Sequence, residues 1–501
     1  MMYRKFLSLI GWLLVFNTVV LAQQSMSPGA YPAPRYPEFK KHYSDEELLA
    51  IARVVVRKPA LGPGPGNYQG RDASNLQNIG YNIQSGEKVL VAVPRSFEPR
   101  VLNAIVTAIR EAGGKVDVLL THTDPIGPAR DGAAEARWLA MRERGAPRGF
   151  SPTDVMKVAE TGNYQILIHG ITGRRPINIP FKWEFIPWNT IDKFVTGIAD
   201  YPYELQELLD QKVWDALLKA KRVRVTDPEG TDISWSASRE GFEEAGARKR
   251  FGIAIRGHVG LWPNNFFPKA QAPDAEGVIA GTINHSGVFP HVKVYLKDHT
   301  VTKIEGGGAY GEFWKTVLDK YKNVTWPMHP GPGMGWLREA AVGTNPKATR
   351  IINVMEQDLR MSWDTNRSGV IHWGIGILGV GQGEPGREEL LNFAVEEAMH
   401  LSHLHIHSYF PTVEVETEDG QKILVIDKGR LTALDDPEVR RVAAKYGDPD
   451  ELLSENWIPT VPGINVPGDY MNDYGRNPAY WIREEHRNAY DRDIMESYLL
   501  H

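Results

Sequence analysis

Four of the 15 histidines fall within eight residues, at His400, His403, His405 and His407. That density points to metal ligation. In a strand, side chains alternate between faces, so His403, His405 and His407 would line one face with neighbouring Cα atoms roughly 6.5 to 7 Å apart. Imidazoles at that spacing can share one ion, as His-x-His pairs commonly do. The apolar Leu401, Leu404 and Ile406 interleave with them, which predicts a half-buried strand with a wet or functional histidine face. The plainer alternative is a solvated polar face, or histidines hydrogen-bonded within the core. A second candidate is His372 in Gly369-Val-Ile-His372-Trp-Gly-Ile-Gly376, where glycines let backbone approach closely. A third is Glu339, in a stretch from Trp336 that reads as apolar and helix-like and ends at Gly343-Thr344-Asn345-Pro346. A glutamate in such surroundings needs a partner or a ligand, the alternative being a salt bridge to Arg338 or Arg350.

Composition narrows the chemistry. The 501 residues include no cysteine, which excludes disulfides, thiolate zinc sites, iron–sulfur clusters and cysteine nucleophiles. Any metal must therefore be held by His, carboxylate or amide groups. With 57 Lys and Arg against 62 Asp and Glu, the net charge of −5 argues against a nucleic-acid partner. There is no Gly-x-Ser-x-Gly elbow, no phosphate-loop Gly-Lys-Ser/Thr and no His-Glu-x-x-His. The runs Gly306 to Gly311 and Gly381 to Gly386 match the dinucleotide pattern, but neither lies in the strand-to-helix context that pattern requires. Metal chemistry is what remains.

The elements that must position these residues predict an α/β protein: an N-terminal α/β layered domain followed by a β-rich α+β metal-site domain. Residues 1–22 carry Arg4 and Lys5, an apolar run and a small residue at Ala22, the pattern of a cleavable export signal. Residues 23–86 form a Pro/Gly-rich arm with one helix at Asp45 to Arg57. Within residues 87–222, Lys88 to Pro94, Pro99 to Ala112 and Lys115 to Thr121 read as strand, helix and strand, with a further strand from Tyr164 and a helix from Glu204. Residues 223–432 hold hairpins around residues 227–230, 297–300 and 418–420, together with a helix over residues 388–399. The tail, residues 433–501, has too many aromatics, Trp457 and Trp481 among them, to be a solvated linker, so it should pack on the body or on a second subunit.

Five motifs carry a family resemblance: Glu229-Gly230-Thr231-Asp232, residues 267–277 ending in Ala-Glu-Gly, Glu339 with Gly343-Thr344-Asn345-Pro346, Gly369-Val-Ile-His372, and His403-Leu-His405 followed by Pro411-Thr-Val. In their order and spacing the chain resembles the thermophilic aminopeptidases, the aminopeptidase T and aminopeptidase S type of metallopeptidase. The resemblance implies a two-metal site made by two Glu, two His, an Asp and a Tyr. Of these, the second Glu matches Glu339, the first His matches His372, and the His of the His-x-Asp pair matches His403. The first Glu falls at or near Asn265, the Asp becomes His405, and the Tyr becomes Gly379. An amide brings no charge to offset two divalent cations. The resemblance therefore implies one metal with an open position, held by Glu339, His372, His403 and His405. That set is also similar to the 2,5-dihydroxypyridine dioxygenases, for which the resemblance implies mononuclear iron on two histidines and a carboxylate.

The expected function is an exported metal-dependent hydrolase, aminopeptidase-like, acting on a small-molecule or peptide substrate as a homodimer. Glu339 and His372 would be catalytic, Glu339 as ligand or general base, and His372, His403 and His405 would ligate zinc, cobalt or manganese. The alternative is an iron(II) dioxygenase acting on a small hydroxylated aromatic. A binding protein with a decayed site is a third reading.

Overall fold

The computed structural model describes residues 30–57, 82–95, 97–121, 152–169, 182–186, 188, 190–237, 257–264, 274–284, 287–325, 331–350, 367–376 and 403–499. The proposed signal at residues 1–22, His400, Asn265, Gly379 and the helix expected over 388–399 lie outside these residues. What is described is a mixed α/β protein, as expected.

In its first half, α1 (Asp45–Arg57), α2 (Pro99–Glu111) and α3 (Pro152–Thr161) flank a parallel sheet ordered β2-β1-β3-β4. The strands are β1 (Lys88–Pro94), β2 (Lys115–Thr121), β3 (Ile166–His169) and β4 (Lys182–Phe185). After Lys88, β1 is apolar from Val89 to Pro94 because both its faces are covered. Val89, Val91 and Val93 pack with Leu48, Ala52 and Val55 of α1 and with Ile105 and Ile109 of α2. Leu90 and Ala92 meet Val155 and Ala159 of α3. Pro99 opens α2, where its missing N–H costs nothing, and Gly113 at φ +84° follows its end.

The second half is antiparallel. After α4 (Tyr203–Leu217) come β5 (Ala220–Thr226), β6 (Asp232–Ser236), β7 (His258–Asn264), β8 (Glu276–Asn284), β9 (Gly287–Lys297) and β10 (Thr300–Gly306), then α5 (Gly308–Tyr321). The chain continues through β11 (Leu337–Gly343), β12 (Ile371–Gly376), β13 (His403–Ser408), β14 (Thr412–Thr417), β15 (Lys422–Asp427) and β16 (Arg430–Leu431). One eight-stranded sheet has the order β10-β9-β8-β6-β5-β14-β15-β16, and a four-stranded sheet the order β13-β12-β11-β7. The expected pairings β5·β6, β9·β10 and β14·β15 all form. A single core joins the two sheets, with Val223, Val225 and Trp235 on one side and Val342, Trp373 and Ile406 on the other.

The aromatic tail packs on the body. Trp457, Ile464, Tyr470, Tyr474 and Ile482, the last on α6 (Pro478–Ala489), cluster with Val370, Tyr409 and Phe410. Arg350, which the sequence offered as a salt-bridge partner for Glu339, instead meets Glu485 of α6 at 3.3 Å and lies over Trp457. Glu339 itself also departs from the helix expected for it. Its stretch is a strand, not a helix: β11 runs antiparallel between β12 and β7, and the ladder on both sides overrides the helix-compatible residues Ala340 and Ala341.

Candidate metal centre

Alternation along the four-stranded sheet sorts its residues onto two faces. Ile371, Trp373 and Ile375 of β12, Leu404 and Ile406 of β13, and Ala340 and Val342 of β11 enter the core. That leaves His372, Gly374, His405, His407, Glu339 and Ala341 for the opposite face. The register sets them in rows: His372 opposes both His407 and Ala341, while Gly374 opposes both His405 and Glu339. Gly374 has no side chain to place between His405 and Glu339, so that row has an open floor.

Strict alternation would put Leu337 and Glu339 on the same face. The pairing of β11 with β12 slips by one residue between them, from Leu337 opposite Ile375 to Glu339 opposite Gly374. This bulge at Arg338 lets Leu337 enter the core while Glu339 turns to the imidazoles, the re-aiming that bulges perform beside functional sites.

The result is a compact ligand set. Glu339, His372 and His405 each offer one ligand atom, all within 4.8 Å of one another. The rings of His372 and His405 have centroids 4.8 Å apart. His372 Nε2 lies 3.6 Å from Glu339 Oε2, and on the other side His258 Nε2 lies 3.6 Å from Oε1. Burial works to raise the Glu339 carboxyl, but the imidazoles of His372 and His258 outweigh it and hold the group well below the usual carboxylate range. The carboxylate is therefore ionised and keeps 21% of its side chain exposed, open to an ion arriving from solvent. Two nitrogen donors and one anionic oxygen suit a divalent cation of the zinc, cobalt, manganese or iron class.

The supports are equally specific. His372 Nδ1 and His407 Nε2 share a hydrogen bond of 3.1 Å, which fixes the ring and leaves His372 Nε2 directed at Glu339. At His405 the sheet edge is closed by a phenol: Tyr310 Oη accepts the His405 N–H at 3.0 Å and donates to its carbonyl at 3.0 Å. Asn284 Nδ2 donates to that hydroxyl and to the same carbonyl. Trp373 Nε1 donates to Ser408 Oγ on the neighbouring strand.

Of the residues singled out from sequence, the structure brings Glu339, His372 and His405 together. His403 takes its place on β13 opposite Gly376, and its side chain lies outside what is described. His407 stands behind His372. His258 was missed: it sits alone in sequence, without a nearby His or carboxylate at ligand spacing, and only the pairing of β7 with β11 carries it to the cluster.

No family model and no curated protein matches the chain. Among solved structures it is similar to a 2,5-dihydroxypyridine dioxygenase from Pseudomonas putida KT2440, at 15% identity and a TM-score of 0.39 over 78% of this chain and 98% of that one. It is also similar to wild-type AmpT from Thermus thermophilus, at 11% identity and a TM-score of 0.40 over 77% of this chain and 98% of that one. Likenesses this loose choose neither reaction.

Proposed function

We propose that the chain is a metal-dependent hydrolase, aminopeptidase-like, in which Glu339, His372 and His405 hold one divalent ion. The observation that supports it is the convergence of an ionised carboxylate and two imidazoles within 4.8 Å on one sheet face. A His2Glu set leaves room for water or substrate on the ion. When bound, the ion polarises a carbonyl and brings the pKa of its water toward neutrality. The chain's own residues do the rest: His407 orients the His372 ring, Tyr310 and Asn284 fix the backbone of His405, and the partly exposed Glu339 binds the ion or takes the proton from the attacking water. The second reading, an iron(II) dioxygenase acting on a small hydroxylated aromatic, is favoured by one feature: two imidazoles and a single carboxylate are also the ligand set of ferrous oxygenases.

Metal content of the purified protein, followed by paired assays, separates the two. Zinc, cobalt or manganese with release of N-terminal residues from peptides is the expected result. Iron with oxygen consumption on hydroxylated aromatics supports the second reading instead. Protein that takes up no divalent ion contradicts both.

A further inference from the structure

We propose that the buried Asp227–Glu229 pair is a latch for residues 468–477 of the tail: this strap lies closed over the pair while it carries a proton, and lifts once both carboxyls ionise. The pair stands at the turn between β5 and β6, where the N–H of Glu229 donates to Asp227 Oδ1 at 2.8 Å. Both residues are buried, with 7% and 5% exposure. The strap closes over them at three points. Tyr470 Oη donates to Glu229 Oε1 at 2.5 Å, and the ring of Tyr474 lies 6.1 Å from that of Tyr470. The Gly475 carbonyl accepts from the His291 N–H at 2.6 Å, while His291 Nε2 donates to the Glu229 carbonyl at 2.7 Å.

Glu229 Oε2 makes the closed state conditional. It is buried, and among the described residues no hydrogen bond reaches it. A neutral carboxyl tolerates that position far better than a carboxylate beside a second carboxylate. Burial raises both carboxyls and the charge of Asp227 raises Glu229 further, against the hydrogen bonds from Tyr470, Thr282 and the N–H groups of Glu229 and Phe410.

The surrounding groups leave the titration to the pair. Tyr470 and Tyr474 of the strap and Tyr31 of the N-terminal arm are all raised by burial, so they stay neutral at pH 9. Burial lowers His291 on β9, which keeps its ring neutral at and above neutral pH. Lys293 of β9 lies against Gly230, beside the turn. Arg350 and Glu485, whose charges reach Tyr474, pair with each other at 3.3 Å, and Asp427 acts on Tyr31. With both folded values raised, the stabilisation from the closed strap is fully present in acid and is lost as the pH rises through those values.

Opening is local because the tail is pinned on either side of the strap. Upstream, Glu455 accepts from Arg430 at 3.0 Å; downstream, Glu485 meets Arg350. Between these anchors residues 468–477 contain neither helix nor strand, so they can part from the body without unravelling an element.

Hydrogen exchange of the full-length protein at pH 6.5 and pH 9, read by mass spectrometry and corrected for intrinsic rates, tests this. Glu229 is pushed up to about 8, so pH 9 lies roughly one unit above it, worth a factor of about 10. Protection over residues 468–477 should therefore fall by about 10-fold at pH 9, while protection in β1 holds. Glu229→Gln keeps an oxygen for Tyr470 and cannot ionise, and should abolish the fall. Glu229→Met, equally uncharged, takes its place should the glutamine variant lose its fold by circular dichroism. Unchanged protection in wild type, a fall shared equally by β1, or a fall that the uncharged variant retains would each overturn the proposal.

Discussion

Two carboxylate sites lie on opposite sides of β13, and their chemistry is opposite too. On one side Glu339 stands among His258, His372 and His405, ionised and partly open to solvent. On the other, Asp227 and Glu229 are buried beneath the tail. A Cβ placed on Gly281 of β8 would come 3.1 Å from the His407 carbonyl and 3.8 Å from Glu229 Oε2, which sets the pair behind the histidine strand. Burial raises both carboxyls, and the charge of Asp227 raises Glu229 further. Glu229 Oε1 accepts from Tyr470 Oη at 2.5 Å and from Thr282 Oγ1 at 3.2 Å. Asp227 accepts from the N–H groups of Glu229 and Phe410. Burial and the mutual charge of the pair both favour keeping a proton on it. The charge of the neighbours, more than depth, decides whether a carboxylate here is held ionised or pushed toward its protonated form.

If that contrast holds, the largest effects belong to the ligand face. His372→Ala or His405→Ala should weaken divalent-metal binding by more than about 100-fold, measured by chelator competition, because each removes a donor outright. His407→Ala should cost about 10-fold in the same assay by freeing the His372 ring. A change at Glu229 should leave metal affinity alone and act on stability. Its folded pKa is raised from 4.5 to about 8, so its contribution is fully present below about pH 4.5 and is lost as the pH rises through about 8. Glu229→Gln cannot ionise, and should therefore be more stable than wild type above pH 8 by on the order of 2 kcal/mol, with the advantage shrinking toward pH 5. Urea midpoints at the two pH values check the sign; an advantage that grows toward pH 5 would show that Glu229 is ionised in the folded chain. Smallest of all, Tyr470→Phe should cost about 1 kcal/mol in the same unfolding assay, since it removes one hydrogen bond to the pair.

The ligand face was partly legible in the sequence and the latch was not. His403, His405 and His407 declare a strand face by alternation alone, and His372 declares itself by its glycine neighbours. Glu339 was found for its apolar company but assigned the wrong element, because residues 336–343 carry no period-2 pattern. The bulge that aims it leaves no local mark, since Arg338 looks like any other polar residue. His258 is brought in by pairing across more than 80 positions of sequence, a distance over which residue spacing carries no information. Asp227-Pro228-Glu229-Gly230 was read correctly as a turn. Its burial comes from Tyr470, 241 positions away, which no turn signal could announce. The first sheet shows the favourable case: from Val89 to Pro94 β1 is an apolar run because both faces are covered, and its composition states its environment directly.

Elemental analysis tests most directly whether this sheet face holds a divalent ion. Wild type, Glu339→Gln and His405→Ala would be loaded with the same divalent ion, freed of excess by gel filtration, and measured as metal per chain. One ion per chain in wild type, and none retained in either variant, is the expected result. Wild type without metal, or variants that keep the wild-type amount, would contradict it.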